Sequence, residues 1–98
     1  MTREQILARI RENESAIRAE GVLRLAIYGS RARGDERPDS DLDVLIDVDP
    51  KSRFSLINLS GVALLIEDAI GIETQVVLRS SMPEKFRQRM ADDEIAVF

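Results

Sequence analysis

Apolar residues recur at Ile6, Leu7, Ile10 and Ile17. That spacing puts them on one side of a helix over residues 2–20. Thr2 and Gln5 stand where a capping box needs them, and Gly21 closes the segment. The pattern then changes. Val22–Tyr28 is apolar at every position but Arg24, which predicts a covered strand with Arg24 at an edge or rim. Residues 41–48 alternate: Leu42, Val44 and Ile46 fall on one face, Asp41, Asp43 and Leu45 on the other. Helical spacing returns at Leu56, Leu59, Val62, Ala63, Ile66 and Ile70. It predicts a helix over 55–69, capped by Ser52 or Ser55, with one side on a sheet. Leu64 and Leu65 widen that stripe, which implies burial on more than one side or a partner surface. Gly61 implies close packing against the sheet. Ile72–Leu78 reads as a third strand with Glu73, Gln75 and Val77 on one face. Residues 83–91 read as a short helix with Pro83 near its first turn. Phe86 and Met90 form its buried pair at i, i+4. Ile95–Phe98 reads as an edge strand or tail.

The connections limit the topology. Asp35–Ser40 is rich in turn residues and short, so the second strand returns antiparallel to the first. The second and third strands are separated by a helix, which implies a right-handed crossover and parallel neighbours. The expected fold is α/β (α+β), a small mixed sheet of three or four strands flanked by helices. One domain would span residues 1–98.

Composition narrows the chemistry. Hydrophobic residues make up 44% and charged residues 33%, the balance of a folded globular chain. A net charge of −4 argues against a broad electrostatic grip on nucleic acid. There is no Cys and no His. Thiolate chemistry is therefore excluded, and a carboxylate or water is left as the general base. Membrane spans and a signal peptide are not expected, and a cytosolic setting is. Of the 14 basic residues, 12 are Arg, the cation suited to bidentate contact with phosphate or carboxylate.

The chemistry concentrates between Gly29 and Asp43. The segment reads Gly29-Ser30-Arg31-Ala32-Arg33-Gly34, then an acidic turn, then Ser40-Asp41-Leu42-Asp43, with ten residues between Ser30 and Asp41. A Gly-Ser turn opening a short helix presents N–H groups and a hydroxyl to an anion. Ser30 would cap that helix and Gly34 end it in a left-handed conformation. Two carboxylates on one face repel each other until a hard cation joins them. Mg²⁺ takes one or two carboxylates plus phosphate oxygens. Arg31 and Arg33 are candidates for holding phosphate or bracing the loop.

Gly-Ser, ten residues, then Asp-x-Asp resembles the signature of the DNA polymerase beta-like nucleotidyltransferase superfamily. The Gly29–Gly34 wording, Ser40 before Asp41 and the small size are similar to its minimal nucleotidyltransferase branch. The resemblance covers nearly the whole chain. It implies a nucleotidyltransferase using Mg²⁺ or Mn²⁺ and ATP or another nucleoside triphosphate. Asp41 and Asp43 would be catalytic metal ligands. Gly29, Ser30, Arg31 and Arg33 would hold the phosphates. The resemblance also implies an antitoxin that transfers AMP to a tyrosine of a HEPN-type toxin. A third carboxylate is expected from the third strand, where this chain has Gln75; Glu73, two residues earlier, is the other candidate. Gln75 opens the alternative of a catalytically degenerate binding module that acts on its partner by steric contact.

Overall fold

The computed structural model describes all 98 residues. Four strands form one sheet in the order β3-β2-β1-β4. They are β1 (Val22–Tyr28), β2 (Leu42–Val48), β3 (Thr74–Leu78) and β4 (Ile95–Ala96). β1 pairs antiparallel with both β2 and β4, and β2 pairs parallel with β3. The helices are α1 (Arg3–Glu12), α2 (Glu14–Ala19), α3 (Ser30–Arg33), α4 (Leu56–Ile70) and α5 (Glu84–Ala91). This is the mixed α/β sheet the sequence predicts. The crossover through α4 makes β2 and β3 parallel neighbours, as expected.

Alternation along the strands sorts the sheet into two faces. Leu25 and Ile27 of β1 join Leu42, Val44 and Ile46 of β2 in the main core. Ile6 and Ile10 of α1, Ile17 of α2, and Val62, Ile66 and Ile70 of α4 complete that core. The register pairs Tyr28 with Asp43, Ala26 with Leu45 and Arg24 with Asp47, so these six residues share the opposite face. Ala26 and Leu45 are buried there, and Met90 of α5 is buried outside the main core.

Two arginines tie down the turn that follows α5. The Arg79 guanidinium donates to both carboxylate oxygens of Asp47, at 3.0 and 3.2 Å. It also donates to Glu94. Arg33 donates to Asp35 and to Asp93, each at 3.0 Å. Asp93 and Glu94 are thereby held to both the loop after β1 and the end of β3.

Several local expectations change. Residues 2–20 form two helices, not one. The break falls at Asn13, whose side chain donates back to the Arg9 carbonyl instead of continuing the helix. The Thr2–Gln5 capping box is present, and Ser55 rather than Ser52 caps α4. Leu56 belongs to no buried stripe; it is 80% exposed. A Cβ on Gly61 would meet the Glu20 carboxylate at 3.1 Å, so this glycine makes room for the end of α2 and not for the sheet. β3 begins at Thr74, which leaves Ile72 and Glu73 outside it. The segment before α5 is a 3₁₀ turn, Arg79–Ser81, and Pro83 stands at the N-cap. Phe86 is 48% exposed, so only Met90 of the expected pair is buried. Arg24 is exposed on a central strand, not at an edge. Residues 95–98 do supply the edge strand.

Ile46 lies at the centre of the main core with no exposure. Ile46→Ala is expected to lower unfolding stability by about 2–5 kcal/mol, measured by urea denaturation.

Candidate active site

β1 ends at Tyr28, and the chain turns sharply through Gly29 into α3. Gly29 has φ 77° and ψ −158°, a backbone region that is essentially glycine's own. Space demands glycine as well: a Cβ here would stand 2.5 Å from Oδ2 of Asp43. The missing side chain lets the Asp43 carboxylate lie against the turn.

Gly29, not Ser30, is the N-cap of α3. The Gly29 carbonyl accepts from the amides of Ala32 and Arg33, and the Ser30 carbonyl from those of Gly34 and Asp35. Gly34 closes the turn in the left-handed conformation expected of it. No side chain caps α3, and the amides of Ser30 and Arg31 and the Ser30 hydroxyl make no bond within the chain. The turn therefore offers donors to an anion.

The two arginines divide. Arg31 is buried, and its Nε donates to the Ser40 carbonyl at 2.9 Å. It braces the loop that returns the chain to Asp41. The Ser40 hydroxyl in turn accepts from the Arg37 amide. Arg33 is exposed and bound to Asp35 and Asp93. Those two partners raise its pKa above the ordinary guanidinium value. Its charge also reaches Asp43 and partly offsets the upward push on that carboxyl.

Asp41 immediately precedes β2 and Asp43 lies within it. Burial raises the pKa of Asp43, and the neighbouring negative charge of Asp41 raises it further. The two carboxylates thus sit close enough to feel each other, and no lysine or arginine forms a salt bridge with either. Gln75 faces Asp43 across the parallel pair and donates its amide to Oδ2 of Asp41 at 3.3 Å. Glu73 is exposed and shares with Asp41 and Arg31 a shallow cavity of about 180 Å³. Glu73 does not join the aspartates: no group of three or more carboxylates suited to a metal forms. The groups brought together here are two carboxylates and a neutral amide.

Tyr28 is a residue that reading the motif missed. It pairs with Asp43 in register and shares its face. Burial raises its phenol pKa, and the Asp43 charge adds to the shift. The signal was available, since Tyr28 directly precedes the Gly-Ser turn on an alternating strand.

Residues 3–97 match the profile of the family described as nucleotidyltransferase domain. The chain belongs to that family. Protein adenylyltransferase MntA from Thermococcus cleftensis is 28% identical over 83 residues, 84% of this chain and 82% of the relative. A solved structure assigned to the minimal nucleotidyltransferases superposes with a TM-score of 0.82 at 27% identity, covering 97% of this chain and 95% of that one. The nucleotidyltransferase fold also appears in a toxin–antitoxin complex with AMP-PNP, with a TM-score of 0.70 at 15% identity. There the match covers 100% of this chain and 73% of the other. It appears again in the complex of the tri-AMPylated Shewanella oneidensis HEPN toxin with its MNT antitoxin, at a TM-score of 0.68 and 12% identity. That match covers 99% of this chain and 72% of the other.

In this nucleotidyltransferase chain the raised pKa of Asp43 gives a signed expectation. A folded-state pKa above the unfolded one means that stability falls as pH rises through the raised value. Asp43→Asn removes that loss. The variant is expected to gain stability relative to the parent as pH climbs from about 3 to 7, read from urea midpoints across the range. Gly29→Ala is expected to lose about 1–3 kcal/mol from backbone strain, before the displacement of Asp43 is counted.

Proposed function

We propose that this nucleotidyltransferase is Mg²⁺-dependent and moves AMP from ATP to a hydroxyl of a protein acceptor, a tyrosine of a HEPN-type toxin, and so acts as an antitoxin. The observation that carries the reading is the Asp41–Asp43 pair lying against a turn whose first amides are unbonded. The resemblance to protein adenylyltransferases supplies the acceptor class, and the fold shared with toxin–antitoxin complexes supports the partner. The setting we propose is cytosolic, where nucleoside triphosphate is at hand.

The donor set fits a hard cation, because burial and then the adjacent charge of Asp41 disfavour the ionised form of Asp43, and such an ion offsets both. Asp41 and Asp43 would hold Mg²⁺ or Mn²⁺, which when bound supplies positive charge to the α-phosphate and the departing pyrophosphate. The Ser30 and Arg31 amides and the Ser30 hydroxyl bind the β- and γ-phosphates. Gly29 lets the Asp43 carboxylate lie against the turn that holds those phosphates, because a Cβ there would stand 2.5 Å from Asp43 Oδ2. Arg33 adds positive charge near the same site, and Arg31 acts through the loop it braces. The acceptor oxygen bonds to the α-phosphorus, the bond to the β-phosphate bridge breaks, and the acceptor proton leaves to solvent. Gln75 cannot take that proton.

Gln75 favours one second reading, a module that binds metal and ATP without turnover and silences its partner by contact. Incubation with Mg²⁺, α-labelled ATP and the HEPN-type partner separates the two. Transfer of label to the partner is expected, reduced at least about a hundredfold in Asp41→Asn/Asp43→Asn. A stable complex with no transfer from any nucleoside triphosphate supports the contact-only reading.

A further inference from the structure

Nucleotidyl transfer needs the attacking and departing oxygens roughly in line, on opposite sides of the α-phosphorus. The sheet order β3-β2-β1-β4 defines two such sides. β2 carries Asp43 and begins directly after Asp41. On its β1 side lies the Gly29 turn with its unbonded amides, the place given above to the departing phosphates. The attacking hydroxyl then comes from the β3 side.

Glu73 stands on that side. The Leu42 amide donates to the Glu73 carbonyl at 2.8 Å, so the parallel ladder runs one step beyond the first residue of β3. The register that sets Gln75 beside Asp43 therefore sets Glu73 beside Asp41. Both residues line the same cavity of about 180 Å³, walled also by Pro38, Ile72 and Arg31. Pockets for free small molecules run to about 300–1,000 Å³, so this one suits a single side chain. Arg31 is 6% exposed and bonds within the chain only through Nε, which leaves its other nitrogens to an incoming oxygen. Glu73 is exposed and takes part in no ion pair. It shares the cavity with Asp41 but forms no metal-binding cluster with the aspartates. Asp39 also borders the cavity, on the preceding turn and outside the ladder. The chain has no His or Cys, and Gln75 cannot accept a proton as a base.

We infer that Glu73 is the general base of the transfer, and that the acceptor side chain enters the cavity between Pro38 and Glu73. The inference rests on the transfer reading given above. The Glu73 carboxylate takes the proton of the acceptor hydroxyl as that oxygen bonds to the α-phosphorus. The bond from the same phosphorus to the β-phosphate bridge breaks, and pyrophosphate departs with the electron pair. Glu73, open to solvent, then passes the proton to water. Asp41 and Asp43 stay with the cation throughout. The step divides the carboxylates by place: the buried side of the site holds charge, and the exposed side moves the proton.

Transfer from α-labelled ATP to the HEPN-type partner, with Mg²⁺, is measured for the parent, Glu73→Gln, Glu73→Ala and Asp39→Asn. Glu73→Gln is expected to lower kcat at least about a hundredfold, with the KM for ATP unchanged. Its calorimetric affinity for ATP with Mg²⁺ is expected to match the parent, which loss of a metal ligand does not allow. Added formate is expected to restore transfer in Glu73→Ala, where it has room, and not in Glu73→Gln. Parent rates in both Glu73 variants overturn the inference. So does a loss that formate leaves unmended, a parallel loss of affinity for ATP with Mg²⁺, or a deficit confined to Asp39→Asn. A parent that binds its partner and transfers no label overturns the transfer reading and the base with it, and the parent alone shows which has failed.

Discussion

The candidate site depends on one close approach, that of the Asp43 carboxylate to the backbone of Gly29. With any side chain at position 29, the two would overlap. Because there is none, a strand-borne carboxylate lies against a turn whose first amides make no bond within the chain. The antiparallel pairing of β1 with β2 puts them there, since the end of one strand meets the start of the next. Burial raises Asp43, and Asp41 beside it adds to the effect. The fold therefore maintains a strained concentration of negative charge next to a set of unbonded donors. Such a pairing is unfavourable by itself and becomes favourable with a cation and a polyphosphate between its halves.

The rest of the molecule keeps that approach rigid. One face of the sheet is closed by α1, α2 and α4 through a continuous aliphatic core. Three arginines at the ends of the strands are structural. Arg31 fixes the loop between the turn and Asp41. Arg79 joins β2 to the segment after α5, and its guanidinium is held above the ordinary value first by Glu94 and also by Asp47. Arg33 joins that same segment to the turn through Asp93. Arg31, Arg33 and Arg79 thus brace the fold from within.

The fold was legible where the sequence pattern answered to local rules. Alternation fixed the faces of β2. The short turn at Asp35–Ser40 fixed its direction, and the length of the α4 crossover fixed β3 beside it. The spacing from Ser30 to Asp41 brought the turn and the carboxylates together before any coordinates did. What was not legible depended on contacts between distant segments. Nothing local says that Gly61 faces Glu20 of another helix. Leu56 and Phe86 look like core residues by type and spacing, yet the first is mostly exposed and the second half-exposed. Arg31 and Arg33 are two positions apart and equally suited to phosphate. Their separate roles followed from Ser40 and Asp93, which folding brings to them. Tyr28 was hidden only because the motif begins one residue after it.

We propose that Asp41 and Asp43 act with the Gly29 turn as a single site for metal and nucleotide together. Calorimetric titration of ATP into the purified chain, with Mg²⁺ and then with a chelator, tests this most directly. Binding is expected with Mg²⁺, and loss of at least about tenfold in affinity both on chelation and in Asp43→Asn. Equal affinity with and without the metal, or binding unchanged in Asp43→Asn, would contradict it.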